Sequence, residues 1–475
     1  MTLEGLKFMH SMINSKRFLN LFLIFILFQP IIDILTTYTL VQMESGATFG
    51  VLIRVAYMFA GLLFLLMHFN KSKFARNSFI YLAILGIFVG INLAVNYFIK
   101  SPFYIGQEIK FFIKVVYMNI VFLNFILVLT LLKEKGSNIL SKAIYYILVA
   151  SLIISVSMII AVMTSTSLES YESAKVGYTG WFFAGNEIGA IIAIILPILC
   201  LYAIRKTETL KEIYFWLPVV FASFSLLMLG TKVGYGAIFI VLLASLFICA
   251  VMFWKRKGTK THSKNKSNLI ISILLLAGLL VSTPFTPVFN NINVHLGFLG
   301  IDLNQDEEES PEETEDGQEE EENDQQLNKK QVQNLIYSSR EEFLAHHSED
   351  YMTSPILQKA FGYGYAGNYD QPDPKMIEMD FYDLFFSFGF LGFLVYIAPV
   401  LFYLYVAARK LIKNIGLVFT PEYIMLLSSI ALTLGIAHFA GHVLTAPAVS
   451  IYFGLIFALI IVELNSSEKK EKEIR

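Results

Sequence analysis

Twelve apolar runs, each about as long as a bilayer is thick, constrain this chain more than any other feature. A helix needs roughly 20 mostly apolar residues to cross the hydrocarbon core. Apolar residues make up 56% of the 475 residues and charged residues only 16%, which is too apolar for a soluble globule of this length. The sequence therefore predicts an all-α integral membrane protein. The predicted spans are 18–40, 49–68, 79–98, 111–132, 143–163, 184–204, 213–230, 234–254, 269–287, 381–407, 423–441 and 447–463.

Lysine and arginine are abundant in every second connection between these runs and scarce in the others. Connections rich in these residues remain on the cytoplasmic side of a membrane protein. The alternation holds along the chain without a conflict, so we expect a multi-pass protein with both termini in the cytoplasm. The rich connections contain Lys16 and Arg17, 71–76, 133–142, 205–211, 255–266, 409–413 and 469–475.

The spacing of the apolar runs divides the chain into four regions. We predict an N-terminal membrane region of about nine helices over 1–287, and a large extracytoplasmic loop over 288–378. A C-terminal membrane region of about three helices follows over 379–465, and then a cytoplasmic tail over 466–475.

The first part of the loop is acidic and the second part has a folding pattern. Residues 302–325 are nearly devoid of apolar side chains, so we expect this tract to be disordered. Calcium binding is the alternative, although the spacing matches no calcium-binding loop. Further on, Ser338 or Ser339 as a cap, followed by Glu341 and Glu342, predicts a helix start. Arg340 would then lie beside backbone N–H groups that suit an anion.

Charged and histidine side chains mark the ends of the spans that should face outward. Such residues are costly in a membrane and are candidates for function. The candidates are Asp33, Arg54, Glu108, Lys110, Lys114, Lys175, Glu187, Lys232, Arg340, Glu378, Asp380, Asp383, His438 and His442.

Several of these residues have neighbours that suggest a ligand. Lys232 lies in LGTKVGYGA, where glycines on both sides allow close backbone approach. Asn186 and Glu187 open the sixth span and can bind sugar hydroxyls, or else cap the helix. We expect Arg54, with Lys110 and Lys114, to contact substrate too. The Arg340 guanidinium can bind phosphate oxygens through two parallel hydrogen bonds. Either Lys232 or Arg54 can then share a diphosphate with it.

The remaining candidates concern proton transfer and metal binding. Glu378 or Asp380 can accept a proton from a sugar hydroxyl, although simple solvation at the membrane surface is the alternative. His438 and His442 have the spacing of a metal-binding pair on the eleventh span, but no third ligand is evident. We therefore expect no metal, and assign these histidines to packing or to a role as substrate contact or base.

The order of these features resembles the O-antigen ligase and O-antigen polymerase-like membrane protein family. This family occurs in Gram-positive envelope polysaccharide clusters such as those for teichuronic acid. The matching pieces lie between residues 171 and 395 and are GWFFAGNEIGAIIAIILP, LGTKVGYGA, SSREEF, GYGYAGN and EMDFYDLFFSFGFLG.

The resemblance implies a C-type, all-helical glycosyltransferase that is metal-independent and inverting. It implies transfer from an undecaprenyl-diphosphate-linked oligosaccharide to an acceptor glycan, outside the bacterial cytoplasmic membrane. Lys232 and Arg340 occupy the places of the family's diphosphate-binding residues, the first of which is more often arginine. Glu378 and Asp380 stand near the place of a ligase's catalytic histidine, a difference that favours a polymerase or a more distant member.

The expected partners are the lipid-linked donor, the acceptor glycan, the lipid bilayer and further polysaccharide assembly proteins. No cofactor and no nucleic acid is expected. The alternative is a transporter or flippase of lipid-linked oligosaccharide, for which internal repeats would be expected. A non-catalytic partner in an assembly complex is a further alternative.

Overall fold

The computed structural model describes residues 15–43, 48–171, 175–255, 262–298, 340–369 and 375–474. The acidic tract at 302–325 lies outside these residues, as do Ser338 and Ser339. The α-helices in chain order are α1 (Lys16–Met43), α2 (Phe49–Met67), α3 (Lys73–Ile99), α4 (Ile105–Glu134), α5 (Ile139–Met163), α6 (Gly185–Lys206), α7 (Leu217–Met228), α8 (Lys232–Lys255), α9 (His262–Ser282), α10 (Pro287–Phe298), α11 (Arg340–Thr353), α12 (Ile356–Phe361), α13 (Asp380–Lys413), α14 (Pro421–Phe439) and α15 (Pro447–Ile474).

Shorter elements connect some of these helices. The 3₁₀ helices are Leu210–Trp216, Thr283–Phe285 and Ile415–Leu417, and the two strands are β1 (Leu168–Glu169) and β2 (Tyr178–Gly180). The strands form one antiparallel pair between α5 and α6. The sequence did not predict this pair.

Twelve helical segments in the described ranges are long and apolar enough to cross a membrane. This finding confirms the prediction of an all-α integral membrane protein. The helices extend beyond the predicted spans where polar residues continue them: α4 begins at Ile105 rather than at residue 111. The seventh span is composite, because Leu210–Trp216 precedes α7. The division into four regions stays a prediction.

Three helices form the centre of the bundle. In the apolar stretch of α4, 83% of the residues are buried, and in those of α6 and α15 the share is 89%. Along the contact of α4 with α15, the rings of Phe122 and Phe457 stack with their centroids 4.9 Å apart. Gly454 lies against the backbone of Phe122, so a small residue allows the two helices to approach closely. Helices α4 and α6 carry candidate residues near their own starts, among them Lys110 and Glu187, and the other candidates lie on elements around this centre.

Helix α13 is interrupted at Gly389, which has φ 66° and ψ 178°. The interruption frees two carbonyl groups, and free polar groups in a membrane must be bonded within the protein. The N–H of Tyr363 donates to the carbonyl of Phe386 at 3.1 Å, and the N–H of Gly364 donates to that of Ser387 at 3.1 Å. The GYGYAGN segment therefore pairs with the interrupted helix.

Asn92 of α3 completes this junction. Its side chain is only 1% exposed. The amide Nδ2 donates to the carbonyls of Phe361 at 2.6 Å and Ser387 at 2.8 Å. A single buried asparagine thus joins α3, the end of α12 and α13.

A buried ion pair also holds this segment. Lys100 Nζ lies 2.6 Å from Glu108 Oε1, and both side chains are almost inaccessible. The N–H of Tyr365 donates to Glu108 Oε2 at 2.7 Å, and its carbonyl accepts from Lys100 at 3.0 Å. Glu108, one of the candidate residues from the sequence, is therefore occupied in holding the loop.

We expect Asn92→Ala to destabilise the protein by about 3 kcal/mol, because buried carbonyls lose their donor. The measurement is the thermal midpoint of unfolding of the purified protein in detergent. Asn77→Ala is the control, because Asn77 lies on α3 but is exposed. Equal midpoints for the two variants would contradict the structural role of Asn92.

Candidate functional site

Two cavities open at the same end of the bundle, which we call the loop end because α11 and α12 lie there. The Arg340 cavity has a volume of about 220 Å³ and is lined by Lys175, Asn186, Lys232 and Arg340, among others. The Arg54 cavity has a volume of about 350 Å³. Its lining includes Arg54, Lys110, Lys114 and Glu187.

A third cavity, of about 310 Å³, lies at the opposite end of the bundle. Arg205, Lys264 and Glu422 are among its lining residues. It contains no residue that the sequence predicted to be functional, so the candidate site lies at the loop end.

The Arg340 cavity collects positive charge from three parts of the chain. Lys232 begins α8, Arg340 begins α11, and Lys175 lies in the segment before β2. Lys232 is within electrostatic range of both Lys175 and Arg340. Clustered positive charges favour an anion between them. The backbone N–H groups at the starts of α8 and α11 add to this preference for an anion.

Asn291 of α10 holds two of these cationic segments together. Its side-chain Nδ2 donates to the carbonyls of Val176 at 2.6 Å and Gly230 at 2.9 Å. Its Oδ1 accepts from the N–H of Val176 at 2.7 Å. Asn291 therefore fixes the segments that carry Lys175 and Lys232. Sequence reasoning missed this residue, because an asparagine in a short helix carries no signal of the segments it will bond.

Glu378 and His442 lie beside the cavity. Glu378 Oε2 is 3.2 Å from a terminal nitrogen of Arg340 and 3.7 Å from Nε2 of His442. The neighbouring His442 lowers the pKa of Glu378 to about 2; burial opposes this shift and the charge of Arg340 adds to it. Burial by itself lowers the pKa of His442, but Glu378 outweighs burial and raises it. Each of the two side chains thus favours the charged form of the other.

The backbone around this pair is unusual. Glu378 has φ 63° and His442 has φ 58°, in the left-handed region that few non-glycine residues adopt. Gly441 has φ 65° and lies so close to the backbone of Glu378 that a Cβ atom would clash with it. Strained residues of this kind are concentrated at functional sites.

Asp380, the other predicted base, has a different environment. It is 1% exposed. Its Oδ2 accepts from the N–H groups of Val443 at 2.8 Å and Leu444 at 2.7 Å, and its Oδ1 accepts from the Thr445 hydroxyl at 2.7 Å. This carboxylate holds the turn between α14 and α15. We therefore correct the prediction for Asp380 to a structural role and retain Glu378 as the candidate base.

The two histidines do not form the predicted pair on one helix face. Helix α14 ends at Phe439, so His438 belongs to the helix and His442 to the following turn. The ring of His438 packs near Tyr382 and Phe439, with centroid distances of 5.7 and 4.7 Å. In the part of the chain that the structure describes, no group of three potential ligands could hold a metal ion.

The Arg54 cavity lies on the other side of the first turn of α6. Arg54 forms an ion pair with Asp33 and donates to Gln29 Oε1 at 3.1 Å. Asn186 lines the Arg340 cavity, whereas its neighbour Glu187 lines this one. The structure therefore places Lys232, rather than Arg54, in the same cavity as Arg340.

These features define a multi-pass helical membrane protein with a cationic cavity at one end of its spans and an adjacent carboxylate. The chain belongs to the family of O-antigen ligase like membrane proteins, whose family model matches residues 15–467, nearly the whole chain. Membership implies a glycosyl-transferring membrane enzyme that ligates or polymerises glycans, and it confirms the resemblance seen in the sequence. A comparison with curated proteins finds no matching sequence.

We expect Asp380→Asn and Glu378→Gln to have different effects on stability. Asp380→Asn would replace an accepting oxygen with an amide NH₂ group that faces N–H donors, and should cost about 2 kcal/mol of unfolding free energy. Glu378→Gln retains a partner for Arg340 and should change the thermal midpoint little. Thermal unfolding in detergent measures both variants. A larger loss for Glu378→Gln would reverse the two assignments.

Proposed function

We propose that the protein is a polysaccharide polymerase or ligase of cell-envelope biosynthesis. It transfers sugar units from an undecaprenyl-diphosphate-linked donor to an acceptor glycan, on the outer face of the bacterial cytoplasmic membrane. The observation that carries this proposal is the Arg340 cavity, where Lys175, Lys232 and Arg340 surround one space beside Glu378. A diphosphate matches this cavity in charge.

Arg340 and the two lysines stabilise the leaving group. When the bond between the anomeric carbon and the diphosphate oxygen breaks, negative charge develops on that oxygen. Fixed cations aimed at a developing charge lower the barrier, and here side chains supply them. This arrangement supports transfer that does not require a metal ion.

Glu378 accepts the proton of the acceptor hydroxyl. The hydroxyl oxygen attacks the anomeric carbon from the face opposite the diphosphate, so the configuration inverts. In the arrangement described, His442 and Arg340 make Glu378 a weak base. A donor diphosphate that binds Arg340 competes with Glu378 for the guanidinium and so raises the basicity of the carboxylate. The carboxylate is therefore a stronger base with the donor bound than without it, although His442 still lowers its pKa.

The location of the charges supports an enzyme over the alternative of a transporter or flippase. Lys232 and Arg340 are the first residues of their helices, so their charges lie at the loop end of the spans. A transporter has its substrate site near the bilayer midplane, often at interrupted helices. The interruption in α13 is filled by hydrogen bonds from the protein itself.

We expect the loop end to face outward and both termini to face the cytoplasm. In a variant in which the buried Cys200 and Cys249 are replaced by alanine, His346→Cys should react with a membrane-impermeant maleimide on intact protoplasts, because the His346 side chain is 72% exposed. Lys71→Cys, in the connection between α2 and α3, should react only after permeabilisation. The opposite labelling pattern would reverse the topology.

We expect Arg340→Ala to lower glycan transfer roughly 10²-fold, because one cation at the leaving group is lost. In a deletion strain that carries this variant, the undecaprenyl-linked unit should accumulate outside the membrane without being polymerised. Surface labelling of the lipid-linked pool and gel analysis of polysaccharide length measure these results.

Arg76→Ala is the matched control, because Arg76 is exposed at the opposite end of the bundle. It should restore wild-type polysaccharide length. If the lipid-linked unit instead stays on the cytoplasmic side in the Arg340→Ala strain, the protein is a flippase and the transferase proposal fails.

A further inference from the structure

We propose that the Arg54 cavity binds the acceptor, and that the acceptor carries a singly charged anionic group such as a uronate carboxylate or a phosphodiester. This inference rests on the proposed function and deepens it. It assigns donor and acceptor to two separate cavities and gives the acceptor a chemical class.

The two lysines of the cavity are available for a ligand. Lys110 and Lys114 are four residues apart on α4 and so share one face of the helix. In the part of the chain that the structure describes, neither ammonium group has a hydrogen-bond partner or a carboxylate within 4.0 Å. Arg54 differs, because Asp33 already neutralises it.

The charge balance of the cavity distinguishes it from the Arg340 cavity. Its cations Arg54, Lys110 and Lys114 face the carboxylates of Asp33 and Glu187. Glu187 is within electrostatic range of both Arg54 and Lys114. The small positive excess suits one negative charge rather than the several charges of a second diphosphate. The Glu187 carboxylate can accept hydrogen bonds from the hydroxyls of the same sugar.

The position of the cavity suits an acceptor. Asn186 and Glu187 are consecutive residues at the start of α6, and they line opposite cavities. Glu187 is also within electrostatic range of His442, the partner of Glu378. A sugar held in the Arg54 cavity can therefore extend past the first turn of α6 towards the candidate base, while the donor approaches from the other side.

An aromatic surface borders the same space. Phe183 lines the Arg54 cavity, is 64% exposed and lies two residues before the start of α6. Its N–H donates to the Thr37 hydroxyl at 2.9 Å, which fixes the segment against α1. An exposed aromatic ring beside cations can pack on the apolar face of a charged sugar.

The test measures binding of defined probes to the purified full-length protein in detergent. Tetragalacturonate supplies carboxylates, a short glycerol-phosphate oligomer supplies phosphodiesters, and maltotetraose is the neutral control. Farnesyl diphosphate probes the donor cavity. The variants are the double change Lys110→Gln with Lys114→Gln, the single change Lys232→Gln, and Lys71→Gln as a matched control at the other end of the bundle.

We expect one of the two anionic oligomers to bind at least about 10-fold more tightly than maltotetraose, a difference that corresponds to about 1.4 kcal/mol. The double variant should lose this preference and bind farnesyl diphosphate as the wild type does, which also shows that it is folded. Lys232→Gln should weaken the binding of farnesyl diphosphate but not that of the anionic oligomers. Lys71→Gln should change neither the binding of farnesyl diphosphate nor that of the oligomers. The tighter oligomer identifies the anionic group.

Two results would overturn the inference. One is binding of maltotetraose as tight as that of both anionic oligomers. The other is a loss of farnesyl diphosphate binding in the double variant, which would make the two cavities one lipid-diphosphate site. Failure of the proposed function gives a different result: farnesyl diphosphate binding would then be insensitive to Lys232→Gln, whatever the oligomers do.

Discussion

The hydrogen bonds that close the gap in α13 are the interaction on which the rest of the loop end depends. A membrane helix can be interrupted only where protein groups bond the freed carbonyls. Here the N–H groups of Tyr363 and Gly364 and the amide of Asn92 do so. The loop is thereby anchored within the bundle, and the buried pair of Lys100 with Glu108 secures its next residues. The segment that returns to the membrane is consequently fixed in position.

That anchoring determines the chemistry of the site. The start of α13 is held by Asp380 against the turn that carries His442. Glu378, two residues earlier, therefore lies between His442 and Arg340, although the three residues are far apart in sequence. The structural carboxylate and the candidate base are neighbours in different environments, because one accepts buried backbone N–H groups and the other lies beside Arg340 and His442.

The first turn of α6 separates the two cavities at the loop end. The Arg340 cavity contains three clustered cations, whereas in the larger Arg54 cavity carboxylates nearly balance the cations. A transferase must bring two substrates to one point from different directions. The proposed assignment of donor and acceptor follows from the different charge of the two cavities and from their common border.

The sequence by itself determined that this protein lies in a lipid bilayer, how many spans it has and which residues could carry function. These conclusions follow from local properties of the chain. A run of about 20 apolar residues forms a membrane-spanning helix, and a charged residue within a membrane is costly. The sequence also predicted Lys232 and Arg340 as site residues, and the structure places the two residues in one cavity. Only the tertiary structure decided that Arg54 lies in another cavity, that Asp380 and Glu108 are structural, and that Asn92 and Asn291 hold the site together. A polar side chain shows its type in the sequence, but the groups it bonds come from distant segments, and packing alone brings them within reach.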